Sequence, residues 1–300
     1  MNLRELEYIC MLARTRHFTR AAEACFVSQP TLSSQVRKLE AELGVVLFER
    51  IRGGVRPTAE GTQIIALAER AVAAASDIKS LARTFRDPFS GTFRLGVIPT
   101  IGPFLLPIFA GSVRHAFPTL DMSFSEQMTD HLNAELLAGD LDAAILATPP
   151  AYDNLTDTPL YDERFFVALP KGHKLCERSD MSLADIQGEP LLLLAEGHCL
   201  RDQTLAVCAA YRQNQSVNAS SLETLLALVA GGYGITLVPA LSIRAGCQEE
   251  LGVVIKPLSD KNAFRRVNLT TRKTHVRPKL TDAIADLIKS ELPAGVTVIN

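Results

Sequence analysis

No part of this 300-residue sequence runs as uninterrupted apolar residues for about 18 positions, which argues against a membrane-spanning helix. The opening, MNLRELEYICMLARTRHF, carries Glu5 and Glu7 and lacks a small-residue cleavage pattern. No secretory signal is read there, and the expectation is a cytoplasmic protein without a membrane partner. Zinc spacing is missing too. The cysteines at 10, 25, 176, 199, 208 and 247 form no CxxC pair and no cysteine–histidine cluster, so no metal site is expected and nothing calls for a cofactor. In a reducing compartment a structural disulfide has little use, and most of these thiols should behave as small hydrophobes. Internal repeats and low-complexity tracts are absent, and so is strong net charge, which is −2 overall.

That small net charge hides an asymmetry. Residues 1–86 hold thirteen Lys and Arg against nine Asp and Glu, whereas residues 87–300 hold eighteen against twenty-four. A basic N-terminal segment on an acidic body suits an anion-binding module joined to a soluble domain. The length predicts two or three folding units, and 47% hydrophobic residues supply ample core.

Apolar positions Leu3, Leu6, Ile9, Cys10, Leu12 and Ala13 recur at helical spacing. Thr19 reads as the cap of a second short helix with Ala21, Ala22 and Cys25 inward, and Ser28 and Gly44 bound a third. Three short helices with brief connections, the third polar on one face, make the helix-turn-helix pattern. VVLFERIRGGVRPTAEG follows as a hairpin turning at Gly53-Gly54. Pro57 and Thr58 open an Ala-rich helix from about 59 to 86, a candidate linker or dimerisation helix. Beyond residue 91 strands are read at 93–100, 121–127, 142–147, 165–170, 190–195, 235–240, 253–258 and 266–272, with helical stretches between them. That alternation predicts an α/β architecture with mostly parallel sheets, and the number of strands predicts two subdomains.

In the third helix Ser28, Gln29, Thr31, Ser33, Ser34, Gln35, Arg37 and Lys38 crowd together. Hydroxyls, amides and cations are the groups that bond phosphates and base edges. The hairpin beside them bears Arg50, Arg52 and Arg56, so a DNA-binding winged helix is a better reading than an ordinary solvated face. The run AAEACFVSQPTLSSQVRKLEAELGVVLFERIRGGVRPTAEG resembles the N-terminal domain of LysR-type transcriptional regulators. Small residues at Ala21-Ala22, then SQPTLSSQV, LE-x-ELG, LF-x-R and PT-x-G all occur in order.

The resemblance implies a winged helix-turn-helix over 1–58, a dimerising linker helix over 59–87 and an α/β regulatory domain over 88–300. That domain would hold two periplasmic-binding-protein-like subdomains, about 88–161 with 266–300 and about 162–265, across a cleft. It also implies a homodimer pairing into a homotetramer on double-stranded DNA operators, acting with RNA polymerase. By the same analogy Ser33, Ser34, Gln35 and Lys38 enter the groove and Ser28, Thr31, Arg50 and Arg56 lie on phosphates. Gln29, Pro30 and Arg52 complete the DNA-binding set.

Residues 196–208 read EGHCLRDQTLAVC, with two cysteines nine apart. GHCLRDQ followed by Cys208 is similar to the OxyR branch of that family, whose members sense hydrogen peroxide through a reversible disulfide. VIPTIGP (97–103) and FRRVNLTTR (264–272) agree with it. The resemblance implies that Cys199 is the peroxidatic thiol and Cys208 its resolving partner, with Thr100, Thr129, His198, Asp202 and Arg266 lining the peroxide pocket. It implies activation of antioxidant genes and reset by glutaredoxin and glutathione. Asn218 stands where some members carry histidine and is left out of the site.

A thiolate, not a thiol, attacks peroxide, so a sensor cysteine needs a lowered pKa. His198, Arg201 and a helix N-terminus near Cys199 favour this, while Glu196 and Asp202 oppose it, and the net sign stays open. If 201–211 is helical, the two cysteines lie roughly 13 Å apart along the axis. A disulfide spans about 7 Å between Cα atoms, so oxidation requires this segment to unwind. Cys208 is accordingly expected to be buried in the reduced form. A metabolite-responsive regulator with incidental cysteines is the competing reading. A thiol peroxidase ranks last, because an enzyme leaves the helix-turn-helix unexplained.

Overall fold

The computed structural model describes residues 1–84, 87–208, 219–244 and 246–299. They form two compact units, one made mainly of residues 1–84, with Glu135–Asp140 counted in it, and the other holding the rest from residue 87 onward.

In the first unit α1 (Leu3–Thr15) begins on a capping box in which Asn2 and Glu5 each accept the other's backbone N–H. α2 (Phe18–Ala24) is capped by His17 rather than Thr19, since the His17 Nδ1 accepts from the Thr19 N–H. α3 (Gln29–Leu43) starts at the Ser28 cap and stops at Gly44, whose φ of 69° is the left-handed conformation that ends a helix. Its Leu32, Val36 and Leu39 pack with Ile9, Leu12 and Ala21.

β1 (Phe48–Ile51) and β2 (Gly54–Pro57) pair as the hairpin, turning through Arg52-Gly53. Glu40 on α3 fixes its start by accepting the Leu47 and Phe48 N–H groups at 2.8 and 3.2 Å. The Thr58 Oγ1 donates to the Val46 carbonyl and accepts the Gly61 N–H, capping α4 (Ala59–Thr84). A Cβ on Gly61 would stand 2.1 Å from the Leu47 carbonyl oxygen, so only glycine allows this close approach. Phe85 and Arg86, at the end of the expected linker helix, lie outside the described residues.

The second unit opens with β3 (Gly91–Val97), α5 (Gly102–Ala116), β4 (Leu120–Glu126), α6 (Thr129–Ala138) and β5 (Ala143–Leu146). It continues through β6 (Leu155–Pro170), α7 (Leu183–Ile186), α8 (Cys199–Val207), α9 (Leu222–Ala230), β7 (Thr236–Pro239) and α10 (Cys247–Glu250). β8 (Val253–Pro257), β9 (Phe264–Arg272), α11 (Pro278–Glu291) and β10 (Thr297–Val298) complete it.

β3 pairs in parallel with β4 and β5, as helical crossovers require. β9 pairs antiparallel with β5 and β6, and β10, β7 and β8 pair antiparallel with β6. The expectation of mostly parallel sheets is thus corrected: the chain leaves the first sheet along β6 and returns along β9 in the opposite direction.

β6 belongs to both halves of this unit. Leu155–Arg164 pairs with β9, and Phe165–Pro170 pairs with β7 and β8. The chain crosses back at Ala263–Phe264, where the Phe165 N–H donates to the Ala263 carbonyl at 2.9 Å. The segment 190–195 is not a strand. Leu191 and Leu194 make isolated bridges to Ile235 and Ala219, and Leu191, Leu192, Leu193 and Leu194 are all buried. Such a run satisfies a core from an extended loop as well as from a sheet. Among the described residues no helix is long and apolar enough to cross a membrane.

Candidate functional site

Two sites follow, one in each unit. On α3, Gln29, Pro30, Thr31, Ser34, Arg37 and Lys38 are exposed, and Gln35 is half-buried. Thr31, Ser34, Gln35 and Lys38 share one face at helical spacing. The Ser28 hydroxyl is engaged as the cap, bonding the Thr31 N–H and hydroxyl. Ser33 departs from expectation. It is 7% exposed, on the stripe of α3 beside Leu32 and Val36, and so faces the core rather than a groove. Lys38 is exposed at 64%, and its Nζ sits 3.0 Å from the buried Glu5 carboxylate. Glu5 is held below the usual carboxylate range, chiefly by that bond. In the hairpin Arg50, Arg52 and Arg56 are exposed, and Arg56 pairs with Glu49 at 2.6 Å. Arg37 is exposed, and its Nε donates to the Ser33 carbonyl at 3.3 Å.

In the second unit Gly197, at φ +92°, turns the chain so that His198 takes the N-cap position of α8 without a side-chain capping bond and Cys199 is the first helical residue. Cys199, Thr100, Thr129 and His198 line a tight pocket with Ile98 and Met128, closed too far in this arrangement to admit a water-sized molecule. Thr100 comes from the loop after β3, and Thr129 is the first residue of α6. Among the described residues the Thr129 hydroxyl and both His198 ring nitrogens are buried with no hydrogen bond of good geometry, although the Thr129 hydroxyl lies close enough to the Cys199 thiol, and the Ser220 backbone to the His198 ring, to shift both groups. Buried polar atoms of this kind are costly unless a small polar molecule satisfies them.

Cys199 is 8% exposed. Burial pushes its thiol pKa up, and Asp202 adds to that; Arg265, the Thr129 hydroxyl and the Leu200 N–H pull the other way. The net shift is upward, so in this closed arrangement burial outweighs the charge that favours a thiolate. That favourable charge comes from Arg265. Its Nη1 donates to the Thr100 Oγ1 at 3.0 Å, its Nη2 to the Thr100 carbonyl at 3.1 Å and its Nε to Glu163 at 2.7 Å.

Four expectations change here. Arg266 does not line the cavity: it is on the opposite face of β9, half exposed and paired with Asp162 through two bonds of 2.9 Å. Successive strand residues face opposite ways, and the inward position is Arg265. Asp202 is exposed on α8, one turn from Cys199, and acts on the thiol only through its charge. His198 supplies no positive charge, since burial pushes its imidazole pKa down, against a weaker opposing effect from the Ser220 backbone. Arg201 is turned to the Leu194 carbonyl at 3.0 Å.

Cys208 is the C-cap of α8 and is 2% exposed, within the apolar cluster that includes Leu200, Leu222 and Leu225. Burial pushes its thiol pKa up to about 11. Both cysteines are free thiols. The helix expected over 201–211 ends at Val207; residues 209–218, Asn218 included, lie outside the described residues.

Residues 3–62 match the bacterial regulatory helix-turn-helix proteins of the lysR family, and residues 86–293 match the LysR substrate binding domain. A hydrogen peroxide-inducible genes activator from Pectobacterium carotovorum subsp. carotovorum is 40% identical over 302 residues, covering 100% of both chains. The DNA-binding transcriptional dual regulator OxyR of Escherichia coli K12 is 39% identical, covering 97% of this chain and 96% of its own. Full-length OxyR C199D from Pseudomonas aeruginosa superposes with a TM-score of 0.80 at 36% identity, covering 100% of this chain and 98% of that one. With both halves matched and relatives aligned end to end, this chain belongs to the LysR-type transcriptional regulators, in their OxyR branch.

Proposed function

We propose that this regulator senses hydrogen peroxide directly through Cys199 and answers by forming a disulfide with Cys208. The observation that carries the reading is a buried thiol at the start of α8, in a closed pocket with Thr100, Thr129 and His198 and within the charge of Arg265, with a second buried thiol at the helix's other end. The relatives named for peroxide induction support the same ligand.

Once deprotonated, the Cys199 sulfur attacks one peroxide oxygen and the O–O bond breaks. The leaving hydroxide takes a proton and departs as water, and Cys199 becomes a sulfenic acid. The Cys208 sulfur then displaces the sulfenic oxygen, a second water leaves, and the S–S bond forms. Arg265 stabilises the thiolate and the departing hydroxide, and the hydroxyls of Thr100 and Thr129 hold the peroxide oxygens.

The DNA-binding part is residues 1–58, with α3 reading the groove and Arg50 and Arg52 on phosphates. The linker helix dimerises, a role supported by the exposed Leu67 and Ile78, three turns apart on α4. Dimers pair into a homotetramer on the operator, the oxidised form activates antioxidant genes with RNA polymerase, and glutaredoxin with glutathione resets it.

Mass spectrometry of the reduced full chain after dilute peroxide tests this. An intramolecular Cys199–Cys208 link should appear rapidly, and Cys199→Ser should abolish both the link and the change in operator footprint. A footprint that responds normally without either thiol would instead favour a metabolite-responsive regulator.

A further inference from the structure

Glu163, on β6, takes no part in the chemistry above, yet it holds the group on which that chemistry depends. It is fully buried, and Arg265 is only 1% exposed. One carboxylate oxygen accepts the Arg265 Nε at 2.7 Å, and the other accepts the Leu241 N–H at 2.9 Å. Arg265 is thereby aimed at Thr100 and Cys199 with the Glu163 carboxylate on its far side.

The charged and titratable groups around the pair are few. Cys199 faces Arg265, the Thr129 hydroxyl, the Leu200 N–H and Asp202, with neutral His198 next to it in the chain. Arg265 faces Glu163, Cys199 and the Tyr161 hydroxyl. A thiolate at Cys199 would therefore be the second anion on one guanidinium.

We propose that Glu163 is a positioning residue and counter-ion that shares Arg265 with Cys199, aiming the guanidinium at the thiol while restraining the thiol's reactivity. The division of one cation between two anions sets the responsiveness of the sensor. The proposal rests on the reading of Cys199 as the reacting thiol.

The test is the pH dependence of Cys199 alkylation by iodoacetamide in the full chain, followed on the Cys199 peptide. In Glu163→Gln the amide keeps the shape and removes the charge. With a single opposite charge freed, the midpoint should fall by about one unit or more and labelling at neutral pH should rise several-fold. A folded Glu163→Gln protein with an unchanged or raised midpoint overturns the proposal.

Should that variant not fold, the neutral pair Glu163→Gln with Arg265→Gln removes both charges together. Its midpoint should lie above that of the unsubstituted chain, and an unchanged midpoint again overturns the proposal. Alkylation reads ionisation and not peroxide. A chain that ignores peroxide would sink the sensing reading and leave this result interpretable.

Discussion

Cys199 is the first residue of α8 and Cys208 is its C-cap, so two free, buried thiols close opposite ends of one nine-residue helix. Joining them means dismantling that helix, because an intact one separates its ends beyond disulfide reach. Weakening α8 without touching either thiol should then favour the oxidised form. Ala206 is exposed on α8. Ala206→Gly costs about 1 kcal/mol of helix propensity, which shifts the dithiol–disulfide equilibrium roughly fivefold toward the disulfide. The disulfide fraction in a glutathione redox buffer measures this, and no shift would mean that α8 survives oxidation.

The two adjacent arginines of β9 should behave oppositely. Arg265→Ala strands the buried Glu163 carboxylate, and removing one partner of such a pair costs about 3–5 kcal/mol. It should also abolish sulfenic acid formation at Cys199. Arg266→Ala loosens only an exposed pair with Asp162, and the oxidation rate should stay within about twofold. Thermal melts with sulfenic-acid trapping decide, and a reversed pattern returns the site role to Arg266.

Acid should weaken the regulatory unit through His198. Its folded-state pKa lies below the ordinary 6.5 because the ring is buried. Above that pH the imidazole is neutral folded or unfolded and contributes nothing. As the pH falls below it, the unfolded chain takes up the proton first, and stability is lost until the lower folded value is passed. The thermal midpoint should drop across this window, and His198→Gln should flatten part of the drop. Identical slopes for both proteins would count against a buried neutral histidine.

On the DNA side, Arg50→Ala or Arg52→Ala should weaken binding evenly across sequences and reduce the salt dependence of log K by about one unit. Ser34→Ala and Gln35→Ala should instead change sequence preference. Ser33→Ala, at a core position, should leave preference intact and lower the melting temperature. Operator titrations at several salt concentrations separate these outcomes.

The winged helix is legible in the sequence because its signature residues are largely structural. Glu40 anchors the hairpin, Thr58 caps α4, and Gly61 clears the Leu47 carbonyl. Ser33 misleads for a physical reason: a small hydroxyl tolerated at the edge of a core has the same letter as one that meets a phosphate. Arg265 and Arg266 are equally ambiguous, since two identical residues in a row carry no alternation to say which faces in. The first half of β6 escapes notice because LTDTPLYDER is polar and interrupted by Pro159, and pairing along β9 makes it a strand. Burial around Cys199 is likewise invisible from HCLRDQ, whose polar letters suggest an open thiol.

The shared strand β6 and its neighbour β9 make a spine that joins the two halves of the regulatory unit as a binding joins the covers of a book. Arg164 stands opposite Phe264, and the next peptide is held to Ala263. Sliding β6 along β9 by one residue would break every bond along the binding at once, whereas a change of angle between the covers need break none of them. The spine therefore filters motion: whatever the thiols do at the page edge reaches the rest of the unit as rotation and not as slip.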